Sequence, residues 1–186
     1  MALFILRELF SLLLTIFVTG YIFSGLKRKF EPDVLASYSY FDWEDFKFSV
    51  LVASPGIILH ELAHKFVALG FGLRAVYEIF PAGLFIGVLL KVFGSGFVLL
   101  APGYVSISGA NILQSSLTAF AGPVMNLLLW VGAVILLRSG KNLSHGKFIG
   151  LMLVKEMNKW LFIFNMIPLP PLDGFKVFQP LFSLFF

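Results

Sequence analysis

Four mostly apolar runs divide the chain, at residues 3–26, 48–71, 117–137 and 148–167. Each is long enough to cross a bilayer core as a helix, which takes roughly 20 apolar residues. The pattern predicts about four membrane-spanning helices. Arg7-Glu8 precede the first apolar core and Lys27-Arg28-Lys29 follow it, with no small-residue cleavage site between. That run therefore reads as a retained transmembrane helix and not as a cleaved signal. Residues 27–47 are polar and predict a loop or a surface-lying segment. Pro55-Gly56 sit one turn before His60 in the second run and are expected to kink or locally open that helix. The tail, residues 175–186, predicts a short apolar helix or half-span.

Residues 72–116 break the pattern. Glycine recurs throughout, and residues 83–101 are apolar enough for another span, interrupted by Lys91. Residues 97–107 are rich in β-formers and broken by Pro102-Gly103, which favours short strands or a re-entrant hairpin. The expected fold is an all-α membrane protein: a polytopic bundle of about four spans, a re-entrant or β-hairpin segment, and a short C-terminal apolar helix. The chain reads as one domain, with residues 1–47 a peripheral helix and loop, 48–176 the core and 177–186 the tail.

Composition sharpens this. The 186 residues are 59% hydrophobic and 13% charged, with mean hydropathy +0.93. Soluble domains carry about 25% charged residues. The bilayer is the natural solvent and the expected location a cell membrane, crossed several times. The net charge of +4 comes from basic residues at the ends of apolar runs, so lipid and not nucleic acid is the expected partner. There is no cysteine, so any metal must be held by histidine and carboxylate.

One pentapeptide carries chemistry: His60-Glu61-Leu62-Ala63-His64. Histidines at i and i+4 share a helix face, about 6 Å apart at Cβ, and can reach one metal ion. Glu61, beside them, can take a proton from a metal-activated water. This is the H-E-x-x-H arrangement of zinc proteases. Chance alone produces it in roughly one chain in fifty at average residue usage. Two histidines and a glutamate inside an apolar span are expensive, however, and intramembrane ionisable groups are functional by default. A third ligand is needed. His145 lies in a basic turn with Arg138, Lys141 and Lys147 and reads as a solvated loop residue. Asp173 follows a proline-rich break and precedes Gly174, which suits an inward-turned ligand and an ordinary turn residue equally. Lys155, Glu156 and Lys159 read as a pairing, snorkelling group in the fourth run.

Together, HELAH at 60–64, AGPVMN at 121–126 and NMIPLPPLDG at 165–174 resemble the site-2 protease family of intramembrane zinc metalloproteases, in that family's order. The resemblance covers roughly residues 48–176. It implies zinc held by His60, His64 and Asp173, with Glu61 as general base. It also implies Asn126 facing the site to position the substrate carbonyl or oxyanion, and Asn165 near the substrate path. Gly122 and Pro123 would serve close packing and a bend, and Pro168, Pro170 and Pro171 would shape the break. The implied activity is hydrolysis of a peptide bond in or near a transmembrane helix of a membrane-anchored protein. A zinc-conducting transporter and an inactive membrane-binding module are the alternatives.

The implied metal site constrains topology. His60, His64 and Asp173 must share one membrane depth, so residues 72–116 must cross the membrane an even number of times, most simply zero. Family resemblance puts the metal-bearing half of the second helix on the cytoplasmic side; the distribution of Lys and Arg points the other way. An edge strand within residues 94–108 is expected to hold an unwound substrate by β-addition.

Overall fold

The computed structural model describes residues 4–25, 41–93, 102–139 and 142–183. Six helices and two strands occur among them: α1 Leu6–Phe23, α2 Trp43–Gly70, β1 Arg74–Ile79, α3 Pro81–Val92, β2 Gly103–Ser108, α4 Ile112–Arg138, α5 His145–Asn165 and α6 Asp173–Phe182. This is an all-α membrane protein with one small β-hairpin. Three helices, α1, α2 and α4, are long and apolar enough to cross a membrane. The expected fourth, α5, is long enough but carries Lys147, Lys155, Glu156 and Lys159 and falls short in hydropathy. Lys159 pairs with Glu156, as the i, i+3 spacing predicts, and the adjacent Lys155 pairs with it as well.

Two helices begin earlier than the apolar pattern suggests, because capping chemistry precedes it. The Asp42 side chain accepts from the backbone N–H of Glu44 and Asp45, so α2 starts at Trp43 and takes in the end of the polar stretch. Asn111 and Gln114 form a reciprocal capping box that starts α4 at Ile112. His145 is likewise the first residue of α5 and not a loop residue, although it is exposed. Pro55 does not interrupt α2, which is helical from Trp43 to Gly70.

Between α2 and α4 the chain forms an antiparallel pair, β1 with β2, that pairs Ile79 with Gly103 and Arg74 with Ser108. The excursion from residue 80 to 102 therefore leaves and returns at one end of the hairpin. Its helix α3 has 12 residues, so about 18 Å of rise, well short of the roughly 30 Å hydrocarbon core. Residues 94–101 of the possible extra span lie outside the described residues. Ala68, Leu73 and Ala75 are buried under Val105, Ile107 and Ala110, which fixes the hairpin to the end of α2.

The first helix packs by a polar stripe. Glu8, Ser11, Thr15 and Thr19 are buried at helical spacing, and small polar residues of this kind let membrane helices approach closely. Ser49 and Ser54 of α2 donate to the carbonyls of Phe23 and Ile16 in α1. Glu8 is buried in an ion pair with Lys65 of α2 and also accepts from the Tyr77 N–H at 2.7 Å, tying α1, α2 and β1 at one point. The Lys65 ammonium also sits 4.6 Å from the Phe4 ring centre. Tyr77, its hydroxyl 2.8 Å from that of Thr15, is buried, and burial pushes its phenol up to about 12, so it stays neutral. Removing one partner of a buried ion pair strands the other charge, at a cost of about 3–5 kcal/mol. Glu8→Gln or Lys65→Met alone should lower the melting temperature in detergent sharply. The double substitution should recover much of the loss; a double variant no more stable than either single would count against the pairing.

Candidate metal centre

The H-E-x-x-H residues lie in the middle of α2, where the helix is packed against α4. His60 and His64 are both about 7% exposed. Their neighbours decide where each imidazole carries its proton. Asn126 of α4 is fully buried, and its Nδ2 donates to the Gly56 carbonyl at 2.9 Å and to Asn158 Oδ1 at 2.9 Å. A carbonyl can only accept, so the amide orientation is set. Asn126 Oδ1 then faces His60 Nδ1 at 2.6 Å and accepts its proton. His64 Nδ1 faces the Thr118 carbonyl at 2.7 Å and must donate as well. Both rings are therefore held with a bare Nε2, and those two atoms converge at 3.0 Å.

Asp173, the first residue of α6, completes the set. Its Oδ2 lies 3.0 Å from His60 Nε2 and 3.3 Å from His64 Nε2. Three electron-pair donors thus meet with no proton fixed between them. Tetrahedral zinc, with metal–nitrogen bonds of about 2.0–2.1 Å, spaces its ligand atoms by roughly 3.3 Å. The donor set and spacing fit such an ion, and these three residues are a group that could hold a metal.

Gly122 makes the room. A Cβ there would meet His64 Nε2 at 2.4 Å and His60 Cε1 at 2.6 Å. Thr118, Gly122 and Asn126 thus form an i, i+4, i+8 stripe on α4 that faces the imidazoles. Gly56 is similarly constrained, since a Cβ would meet Asn158 Oδ1 at 2.8 Å. Two of these contacts were not foreseen from the sequence. A backbone carbonyl such as that of Thr118 leaves no residue-type signal. Asn158 did leave one, a buried amide in an apolar run, overshadowed by the charged residues beside it.

The centre opens into a cavity of about 630 Å³, lined by Glu61, Asn165, Asp173, Lys176 and a length of β2, among others. Glu61 is half-buried at the cavity wall. Asn165 ends α5 there, with its Nδ2 donating to the Leu161 carbonyl at 3.0 Å. Asn126 is not among the lining residues.

The hairpin presents one edge to this cavity. In antiparallel pairs, directly opposed residues alternate between bonding each other and pointing their backbone groups outward. The Tyr77 N–H goes to Glu8, so the Tyr77–Val105 pair is of the outward kind. The bond from Phe80 N–H to the Pro102 carbonyl at 2.9 Å has the parity this requires. The outer edge of β2 therefore offers the N–H and C=O groups of Gly103, Val105 and Ile107, all three of which line the cavity.

Comparison with known proteins bears on this centre. The chain is 32% identical over 176 residues to "Putative zinc metalloprotease MJ0611" of Methanocaldococcus jannaschii, covering 93% of this chain and 84% of that protein. The chain belongs to the family of that protein. It is also 28% identical to "Putative zinc metalloprotease YwhC" of Bacillus subtilis, over 71% of this chain and 68% of that one. With "Putative zinc metalloprotease Rip2" of Mycolicibacterium smegmatis the identity is 27%, over 67% and 53%. No protein-family model matches the chain, and no solved structure matches it significantly.

A group with this shape makes Gly122 a sharp test. In Gly122→Ala the methyl displaces both imidazoles from their common point, and metal affinity should fall at least tenfold. Asn126→Leu removes the acceptor on His60 together with the donors to Gly56 and Asn158 and should cost at least the roughly 10–100-fold usual for losing such a partner. Metal titration of the purified variants measures both; an unchanged affinity in Gly122→Ala would contradict the geometry.

Proposed function

We propose that the chain is a zinc-dependent intramembrane endopeptidase of the site-2 protease type. The observation that carries this reading is the convergence of two Nε2 atoms and Asp173 Oδ2, each fixed as an electron-pair donor, beside a glutamate at a cavity wall. His60, His64 and Asp173 would hold the zinc. When bound, the ion supplies Lewis acidity toward a carbonyl oxygen and makes water a stronger acid.

Glu61 is not among the three donors and has the role of general base, taking the proton of the attacking water and returning it to the leaving amine. Asn126 differs from its expected role. Both Nδ2 hydrogens are engaged and the residue is sealed from the cavity, so it is a positioning residue for His60 and not an oxyanion donor. Asn165, at the cavity wall, retains the reading of a substrate contact.

A helical substrate hides its peptide bonds and must unwind to be cut. The outward groups of Gly103, Val105 and Ile107 suit an added strand beside β2. The substrate class is then a membrane-anchored protein with a transmembrane helix.

Two measurements test the reading. Glu61→Gln should keep its zinc and lose cleavage of a helical membrane substrate by about 10²–10⁴-fold, the contribution of a general base. Activity surviving in that variant would reject the mechanism, and would favour the transport alternative if zinc also moved. Prolines separate the edge from the ladder. Val105→Pro deletes an outward N–H and should cut cleavage at least tenfold below Val105→Ala, which trims the same packing but keeps the N–H. Tyr104→Pro deletes a ladder bond and should destabilise the hairpin. Full cleavage by Val105→Pro would exclude strand addition on β2.

A further inference from the structure

Lys176 has no part in the chemistry above, yet it lines the same cavity. It sits one turn into α6, at i+3 from Asp173. An aspartate and a lysine at that spacing usually pair across the helix surface. Here the Asp173 carboxylate is turned to His60 and His64 instead. Lys176 makes no hydrogen bond or ion pair with any described residue. Among the described residues lining the cavity it is the one Lys or Arg, and it shares that lining with the carboxylates of Glu61 and Asp173.

Exposure separates two roles for such a cation. A group stabilising charge at the reacting carbonyl must be held at the buried donors. Lys176 is exposed and its ammonium rides on a flexible four-carbon stem, so it reads what flanks the reacting bond. We infer that Lys176 is a specificity-determining residue that pairs with a carboxylate side chain on the substrate, within a few residues of the bond to be cut. This rests on the cavity taking a peptide, as proposed above.

The test is a binding measurement, independent of turnover. Apolar helical peptides, blocked at both ends, carry Glu, Gln or Lys at successive positions around the cleavage region. Their affinity for zinc-loaded Glu61→Gln protein is read by fluorescence anisotropy in an uncharged detergent, which keeps lipid phosphates out of the comparison. At one or two positions the Glu peptide should bind roughly three- to tenfold more tightly than the Gln peptide, the range for a partly exposed charge pair. The preference should shrink as salt rises. Adding Lys176→Met should abolish it without changing affinity for the Gln peptide. Lys176→Arg should keep it, and Lys176→Glu should turn it toward the Lys peptide.

A preference that persists in the Met variant, or none at any position with Lys176 intact, would overturn the inference. Failure of the protease reading looks different: no peptide is cleaved when Glu61 is restored, whatever the binding preference.

Discussion

Everything in this molecule is arranged around two imidazole protons. Each is committed to an acceptor on α4, the amide oxygen of Asn126 or the carbonyl of Thr118. That commitment leaves two bare nitrogens facing each other at 3.0 Å beside a carboxylate. In a bundle interior of low effective dielectric, such a cluster of electron pairs is repulsive unless a cation joins it. The fold therefore has to force the donors together. It does so with one helix face, where Thr118 and Asn126 hold the rings and Gly122 clears the space between. Asn158 and Gly56 extend the same network to α5, so the orientation of Asn126, and through it that of His60, is set where α2, α4 and α5 pack together.

Much of this was legible beforehand, and the limits have physical causes. The two histidines were readable because a helical period fixes their relation within five residues. Asp173 was not, since over a hundred residues of chain separate it from His64 and spacing says nothing across that distance; ordered motifs supplied it. The helix starts at Trp43 and Ile112 were missed because capping side chains, and not hydrophobicity, set them. Strand β1 was missed because Arg74 and Glu78 interrupt a short segment that otherwise looks like the end of α2. That both amide hydrogens of Asn126 are taken by Gly56 and Asn158 was not readable for a different reason. A sequence shows which polar group is near a site, but which of its atoms are already engaged is decided by packing.

The buried charges tell a consistent story about cost. Glu8 and Lys65 lie in helices apolar enough to cross a membrane, where an isolated ion is costly. They are tolerated because each meets the other, and because the remaining acceptor capacity of Glu8 is filled by the N–H groups of Ile5 and Tyr77. That arrangement also closes one edge of the hairpin at Tyr77. The polar stripe of α1 is thus a device for fixing β1 in place, and through it the position of β2 relative to His60 and His64.

An asymmetric hairpin follows, with one edge plugged by a glutamate and the other facing the cavity. Exposed edges are ordinarily a liability, since they pair with whatever strand arrives. Here the residues of that edge line the cavity that holds the metal donors. Unwinding a substrate helix in hydrocarbon frees backbone groups at several kcal/mol each. An edge offering three residues' worth of donors and acceptors, at Gly103, Val105 and Ile107, offsets that cost only for the extended form. It would lower the barrier to unwinding and, in the same contacts, lay the peptide bonds out beside Glu61. On the proposed function, two strands in a predominantly helical protein would serve as the partner for an opened helix, which a further helix face in their place could not provide.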